Sequence, residues 1–382
     1  MIWNLLKLML TSWLSMKRWN NYPRIESVSL LDNLGFSLHT ALFLAHLEES
    51  QWNKVDKEFI IKRMLFNSFK RLILSDINSW TRDYVDKQDR DILLKIENKA
   101  IKYILSLEWP DYIREDIRDT LYNETKELEL RIISASKKYA GYRECMVNER
   151  VFPDIYDISM ENIKISLEEK CKELPSLDML LKSENYNKYL SQIRRLTHSM
   201  RWNQRNRIYP ISVMSHLVII TFITYVMTSI ENRNWKDFDM LDNLMRAIYH
   251  DIPESITWDI ITPTKKAVPG FSEVLEKVEI NMMDDFFFYY ISPEYKKEIF
   301  DYMLNPFHWE VWKFVKYADI ISAFMEAKVE YNNGWMNFEE IHRRLKKQLN
   351  AYNMKSIDYF LKDWLDSFDE KSSGDPHLAE LN

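Results

Sequence analysis

Ile61-Lys62-Arg63-Met64-Leu65-Phe66-Asn67-Ser68-Phe69-Lys70-Arg71-Leu72 sets the fold class. Its apolar residues Ile61, Met64, Leu65, Phe69 and Leu72 fall three and four apart, the spacing that lines one face of an α-helix. Windows of this kind recur along the 382 residues while strict alternation is scarce, so the chain reads as all-α. Breakers stand where such helices must stop: Trp109-Pro110, Phe152-Pro153, Leu174-Pro175, Tyr209-Pro210, Val268-Pro269-Gly270, Ser292-Pro293 and Asn305-Pro306.

Composition narrows the functional classes. The chain has 5 glycines, where average usage would give roughly 27, and none is spaced as a dinucleotide or phosphate loop requires. Rossmann and P-loop chemistry are excluded. A net charge of −6 with a pI near 5.9 offers no global basic field, so the partner is a small molecule and not a nucleic-acid polymer. Cys145 and Cys171 are too few for a disulfide framework or a thiolate zinc site and point to a reducing, cytoplasmic compartment. Lys7 interrupts the apolar stretch Met1 to Trp19 and no small-residue cleavage site follows, which makes this stretch a core helix. The central apolar run, His216 to Met227, falls short of the roughly 20 residues that span a bilayer, so no membrane partner is expected.

The length favours two domains. Residues 1–152 and 191–370 are the expected helical bundles, 153–190 a Lys/Glu-rich helical connection around Leu167-Glu168-Glu169-Lys170, and 371–382 a disordered tail containing Ser372-Ser373-Gly374-Asp375-Pro376. The two bundles echo each other. Ser15-Met16-Lys17-Arg18-Trp19-Asn20 returns in Thr197-His198-Ser199-Met200-Arg201-Trp202-Asn203, and Arg24-Ile25-Glu26-Ser27-Val28 in Arg207-Ile208 and Ser212-Val213. Arg71 to Asp76 parallels Arg246 to Asp251, and two echoes in the same order argue for a duplication.

In the second half His250-Asp251 closes an apolar helical pattern formed by Leu241, Leu244, Met245 and Ile248. Adjacent side chains at a relaxing helix end can turn toward one cation, and His216, at the start of another apolar helix, offers a third ligand. Asp319 would be an acid on an apolar face beside Ile320, Ile321 and Phe324, so it either pairs with a cation or ligates a metal. Two imidazoles and two carboxylates suit Mn²⁺, Fe²⁺, Co²⁺ or Zn²⁺.

The stretch Ala247-Ile248-Tyr249-His250-Asp251-Ile252-Pro253-Glu254-Ser255-Ile256-Thr257-Trp258-Asp259-Ile260 resembles the signature of HD-domain phosphohydrolases, particularly the bacterial 5′-deoxynucleotidases. Arg201-Trp202, Ser215-His216, Thr262-Pro263-Thr264-Lys265 and Val315-Lys316-Tyr317-Ala318-Asp319 complete the pattern between about His198 and Phe368. The resemblance implies that His216, His250, Asp251 and Asp319 ligate one divalent metal, whose bound water attacks the phosphorus of a nucleotide. Glu254 would handle protons at that water and Asp259 would hold or protonate the leaving 5′-oxygen, either being able to serve as the acid. Arg201 would clamp the phosphate and Trp202 pack against the sugar, while Lys265 is either a second phosphate contact or a solvated surface lysine.

The implied reaction removes the 5′-phosphate from deoxynucleoside monophosphates. The same residues could serve a deoxynucleoside triphosphate triphosphohydrolase, and a third reading is a non-catalytic nucleotide-binding regulator, against which four intact ligands argue. Two departures stand out: Trp258 replaces the usual glycine between Thr257 and Asp259, and Ser215 replaces the glutamate common before the first ligand.

On the same resemblance the first half is a degenerate copy. Leu31 takes the first ligand position, Ser75-Asp76 the His-Asp position and Ser136, beside Lys137, the last, so no metal is expected there. His39 and His46, seven apart, read as core or surface histidines. Such nucleotidases commonly pair as homodimers, so the protein is expected to be a monomer with an internal pseudo-dimer, burying above about 2,000 Å² between its halves.

Overall fold

Helices begin where a side chain can accept the free amides of a first turn. Ser29, Ser183, Ser212, Asp239 and Ser292 each accept from the backbone amide three residues on, and Ser29 completes a capping box with Asp32. Pro153, Pro175 and Pro293 open their helices, where the missing N–H costs nothing.

The computed structural model describes residues 2–74, 79–234, 237–257, 268–307 and 313–361. In order these form α1 (Ile2–Leu10), α2 (Ser12–Ser15), α3 (Leu30–Glu49), α4 (Lys57–Leu74), α5 (Ser79–Gln88), α6 (Arg90–Ser106), α7 (Asp111–Tyr122), α8 (Glu127–Glu149) and α9 (Pro153–Glu173). There follow α10 (Pro175–Lys182), α11 (Glu184–Arg194), α12 (Val213–Arg233), α13 (Met240–Tyr249), α14 (Glu254–Thr257), α15 (Phe271–Phe286), α16 (Pro293–Leu304), α17 (Lys313–Asn332) and α18 (Glu339–Leu349). Among the described residues the extended pairing is confined to two isolated antiparallel bridges, Lys17 with Ser29 and Met200 with Ser212, so the fold is all-α. The tail 371–382 lies outside the described residues.

One hydrophobic core runs through both halves, from Leu5 and Leu6 of α1 to Phe360. The segment 153–190 is not a free strap: α9 packs along α8, and Leu174, Leu177 and Leu180 enter the main core. α12 is longer than its apolar run indicated. Its 21 residues are long and apolar enough to cross a membrane, but 94% of the apolar window is buried among the other helices, as in the central helix of a packed bundle.

At the centre α3 crosses α12. A Cβ on Gly35 would lie 2.6 Å from Met214 Sδ and 3.1 Å from Val218 Cγ2, so glycine lets the two backbones approach. The N-termini of the same helices share a buried polar cluster. Asp32 accepts from Ser29 N at 2.9 Å, Ser29 Oγ at 2.7 Å and Ser215 Oγ at 2.8 Å, and also from Ser212 Oγ, while Ser29 Oγ and Ser215 Oγ lie 3.3 Å apart. Ser215, where the sequence departs from the usual glutamate, is therefore a donor to the opposing helix.

Candidate metal and phosphate site

Three helices deliver the residues of the second half. The Ser212 cap starts α12 so that His216 sits one turn inside it, fully buried. The Asp239 cap starts α13, which ends at Tyr249, and His250 and Asp251 turn off its end ahead of Glu254, the first residue of α14. α17 brings Asp319 and, two turns later on the same face, Glu326.

These side chains converge. Ligand atoms of His216, His250 and Asp251 lie within 4.8 Å of one another. Asp319 joins them, its Oδ1 being 3.1 Å from His216 Nε2, and Asp251 Oδ2 is 3.8 Å from His216 Nε2 and 3.4 Å from His250 Nε2. His250 Nδ1 faces Ala247 O at 3.0 Å, which keeps the proton on Nδ1 and leaves the Nε2 lone pair bare. His216 Nδ1 faces Ser322 Oγ at 3.2 Å and Glu326 Oε1 at 3.5 Å. The Nε2 atoms of both histidines are buried with no hydrogen bond. Two bare imidazole nitrogens beside two carboxylates fit a divalent cation, which would satisfy the buried lone pairs and the paired negative charge together.

Arg201 closes the cluster, its guanidinium 3.4 Å from Asp319, 3.8 Å from Asp251 and 3.4 Å from Glu326. Burial opposes the charge of Asp319, but His216 and Arg201 outweigh it and hold the carboxyl well below the usual range. Glu326 is likewise held low, burial being overcome by Arg201, His216 and Arg207. For His216 burial and Arg201 disfavour the proton, and Asp319 and Glu326 overcome them, so its pKa rises. The Asp319 side chain is 37% exposed and that of His216 0%, so the cluster opens to solvent on its carboxylate side.

Trp202 is held rather than loose. Its backbone is left-handed (φ 56°), its indole Nε1 donates to Glu326 Oε2 at 2.8 Å, and its ring meets Phe338 edge-on at 5.9 Å. Glu254 adds to the negative field on Arg201. Asp259, Lys265 and Trp258 lie outside the described residues.

The sequence reading missed Glu326, Arg207 and Glu330. Arg207 bridges Glu326 at 3.0 Å and Glu330 at 3.2 Å, and Glu330 accepts from the amides of Ile208 and Tyr209 at 2.8 and 3.0 Å. Their signal was available: Asp319, Glu326 and Glu330 form one acidic stripe on an otherwise apolar helix face.

The first half holds a comparable set of contacts between other residues. Trp19 is left-handed (φ 54°) and donates to Glu144 Oε2 at 2.9 Å; Arg18 Nε lies 3.4 Å from the same oxygen. Asn148 accepts from Ile25 N at 2.9 Å as Glu330 does from Ile208. These matches give a register that differs from the one drawn from sequence. Counted from the caps Ser29 and Ser212, the residue opposite His216 is Asn33, whose Nδ2 donates to Glu144 Oε1 at 2.7 Å, and not Leu31, which is core. Asp56 caps α4 through Phe59 N as Asp239 caps α13, and the same count sets Asn67-Ser68 opposite His250-Asp251; Ser75-Asp76 lie outside the described residues. Lys137, two turns ahead of Glu144, stands opposite Asp319, whereas the buried Ser136 donates to Ile133 O at 3.0 Å. An amide pair, a hydroxyl and an ammonium are no metal-ligand set.

The two histidines of the first half, His39 and His46, are occupied elsewhere. Burial pushes His39 down to about 3, and its ring packs edge-on against Tyr249 at 5.2 Å. His46 pairs with Glu298 at 2.8 Å, and the Lys57 ammonium binds Glu298 and Glu49 at 2.6 and 2.7 Å, filling that cluster with its own cation.

Comparison with known proteins matches residues 188–368 to the 5′-deoxynucleotidase YfbR-like family. A 5′-deoxynucleotidase of Pasteurella multocida is 24% identical over 176 residues, 46% of this chain and 90% of the relative. One from Photobacterium profundum is 25% identical over 191 residues, 47% of this chain and 93% of the relative. Among solved structures, an HD-domain phosphohydrolase of Listeria innocua is 24% identical with a TM-score of 0.43, over 48% of this chain and 90% of that one.

Proposed function

With residues 188–368 assigned to the HD-domain 5′-deoxynucleotidase-like family, we propose that the protein removes the 5′-phosphate of deoxynucleoside 5′-monophosphates, using one divalent ion held by His216, His250, Asp251 and Asp319. The observation that carries this reading is the pair of buried imidazole nitrogens without hydrogen bonds, facing two carboxylates and an arginine. Mn²⁺, Co²⁺, Fe²⁺ and Zn²⁺ all suit the donors. When bound, such an ion supplies a Lewis acid and lowers the pKa of a coordinated water. Arg201, between the two carboxylates, binds the phosphate and balances its charge. Glu254, at the start of α14, takes or returns the proton of the attacking water, and Asp259 serves the leaving 5′-oxygen. Trp202, fixed by Glu326, gives the sugar a rigid wall, and Lys265 is a second phosphate contact.

The test is product analysis with the full chain and Mn²⁺ or Co²⁺ against deoxy- and ribonucleotides. Phosphate and nucleoside from deoxynucleoside monophosphates are expected. Triphosphate release from deoxynucleoside triphosphates would reassign the substrate, and absence of turnover on every nucleotide would overturn the reading.

We infer also that residues 1–152 are a degenerate copy of 191–370, joined through 153–190, and that the two form a pseudo-dimer within a monomer. In a two-fold interface a residue on the axis meets its own counterpart and other contacts occur in reciprocal pairs. Asp32 and Ser215, 183 residues apart, are counterparts and touch. Ser212 with Asp32 and Ser29 with Ser215 are a reciprocal pair, and Gly35 against its counterpart Val218 is another axial contact. A carboxylate on one side and a hydroxyl on the other avoid the repulsion of two facing acids. Light scattering should give one chain, 46.3 kDa. The free thiols Cys145 and Cys171 support action in the reducing cytoplasm.

A further inference from the structure

The place in the first half that lies opposite the metal cluster is not filled in. A cavity there lies among α2, α3, α4 and α8, lined by Trp13, Ser37, Asn67, Arg71 and Lys137 among others. It offers about 30 Å³ to the centres of water-sized molecules, more than a single water needs and far less than a whole nucleotide requires.

Its polar atoms are mostly donors. Among the described residues the Lys137 ammonium has no hydrogen-bond or ion-pair partner. Trp13 and Ser37, 2% and 1% exposed, carry an indole Nε1 and a hydroxyl with no hydrogen-bond partner. An indole N–H can only donate. Among the described residues no carboxylate lines the cavity; Glu144 is engaged by Asn33, Arg18 and Trp19, and Glu97 by Lys70 and Arg82. Burial, reinforced by the charges of Arg71, Lys70, Arg63 and Arg82, pulls the Lys137 amine down to about 7. Leaving the Trp13 indole and the Ser37 hydroxyl buried and unanswered is costly, and one multivalent acceptor would answer them together with the Lys137 ammonium.

We propose that this cavity is a metal-free binding site for a phosphate-class tetrahedral anion, held by Lys137 and by the donors Trp13, Ser37, Asn67 and Arg71. The donors come from four helices on different sides, which suits a tetrahedral acceptor better than a planar carboxylate. Lys137 stands where Asp319 stands in the other half, so a fixed ammonium takes over the anion-holding role that the other half assigns to an ion and Arg201. The inference rests on the cavity and its donors, and holds whatever substrate the other half turns over.

Calorimetric titration of the full chain with inorganic phosphate tests it, with chelator present and Arg201→Ala removing phosphate binding at the other site. The Arg201→Ala protein should bind one phosphate. Adding Lys137→Met should weaken binding about 10-fold or more, the scale of a charge-assisted contact, whereas Lys137→Arg should retain it. Should Lys137→Met fail to fold, Asn67→Asp, which sets a carboxylate against the anion, must weaken binding likewise. A deoxynucleoside monophosphate that binds more tightly than phosphate, and loses this with Lys137→Met, would support the site with a nucleotide's phosphate end as its occupant. Absence of saturable phosphate and nucleotide binding in the Arg201→Ala protein, or binding that Lys137→Met leaves within twofold, overturns the proposal.

Discussion

Replacing Glu326 by glutamine keeps the side chain's shape and removes one fully buried charge. That charge lies 3.5 Å from His216 Nδ1, 3.4 Å from Arg201 and 3.0 Å from Arg207, and it accepts the Trp202 indole at 2.8 Å. Two effects follow. A carboxylate behind an imidazole raises the basicity of the opposite nitrogen, and its loss typically weakens a metal about 10- to 100-fold, or about 1.4 to 2.7 kcal/mol. Ser322 Oγ, at 3.2 Å, still faces Nδ1 after the change, so the lower end, about 10-fold, is expected. Arg201 keeps Asp319 and Asp251, and Arg207 keeps Glu330, so the fold should survive with a loss of about 1 to 3 kcal/mol. Competitive Mn²⁺ titration and urea unfolding of the two proteins separate the effects. Mn²⁺ affinity within twofold of the parent, alongside a clear loss of stability, would mean that Glu326 only props the Arg201-Trp202 turn and would refute the reasoning.

Asp32→Ala, at a residue 5% exposed, strands the hydroxyls of Ser29, Ser212 and Ser215 and should lower the free energy of unfolding by about 2 to 3 kcal/mol; a loss below about 1 kcal/mol in urea would show the cluster to be incidental. Glu254→Ala should leave bound metal unchanged and cut turnover about 100-fold or more, and unchanged turnover would remove Glu254 from the mechanism. Burial pushes the Glu26 carboxyl up, but hydrogen bonds from His198 and Arg194 overcome it and bring the pKa from 4.5 down to about 2. The charged form therefore favours folding: its contribution is whole above about pH 4.5 and fades as the pH falls toward 2, so Glu26→Gln should flatten that part of the stability profile. Parallel profiles for parent and variant between pH 4.5 and 2 would contradict this.

The all-α fold was legible because Ile61, Met64, Leu65 and Phe69 repeat at helical spacing and pack as one buried face. His216, His250, Asp251 and Asp319, which lie together in the structure, stood out singly only as polar groups on apolar helices, and it was the resemblance to the HD-domain signature that joined them as one set. Glu326 escaped because a single glutamate in a helix reads as a solvated charge until its distance from Asp319 is counted in turns. On the proposed duplication, the register drawn from sequence at Leu31 and Ser136 is displaced from that of the caps because like letters were matched, Ser27-Val28 with Ser212-Val213 and Ala135 with Ala318. Asn33, Asn67 and Lys137 differ chemically from the ligands they stand opposite, so letters could not find them, but the caps Ser29 with Ser212 and Asp56 with Asp239 fix the spacing. The cavity beside Lys137 had no signal in the sequence, since four separated helices meet only in the fold.

Anomalous diffraction from crystals of the full chain soaked in Mn²⁺ tests the central claim most directly. The account predicts one strong peak per chain, roughly 2.0 to 2.3 Å from His216 Nε2, His250 Nε2 and a carboxylate oxygen each of Asp251 and Asp319, with no peak among Asn33, Asn67, Ser68 and Lys137. A peak held by other residues, no peak at the histidines, or a second ion in the cavity beside Lys137 would contradict it.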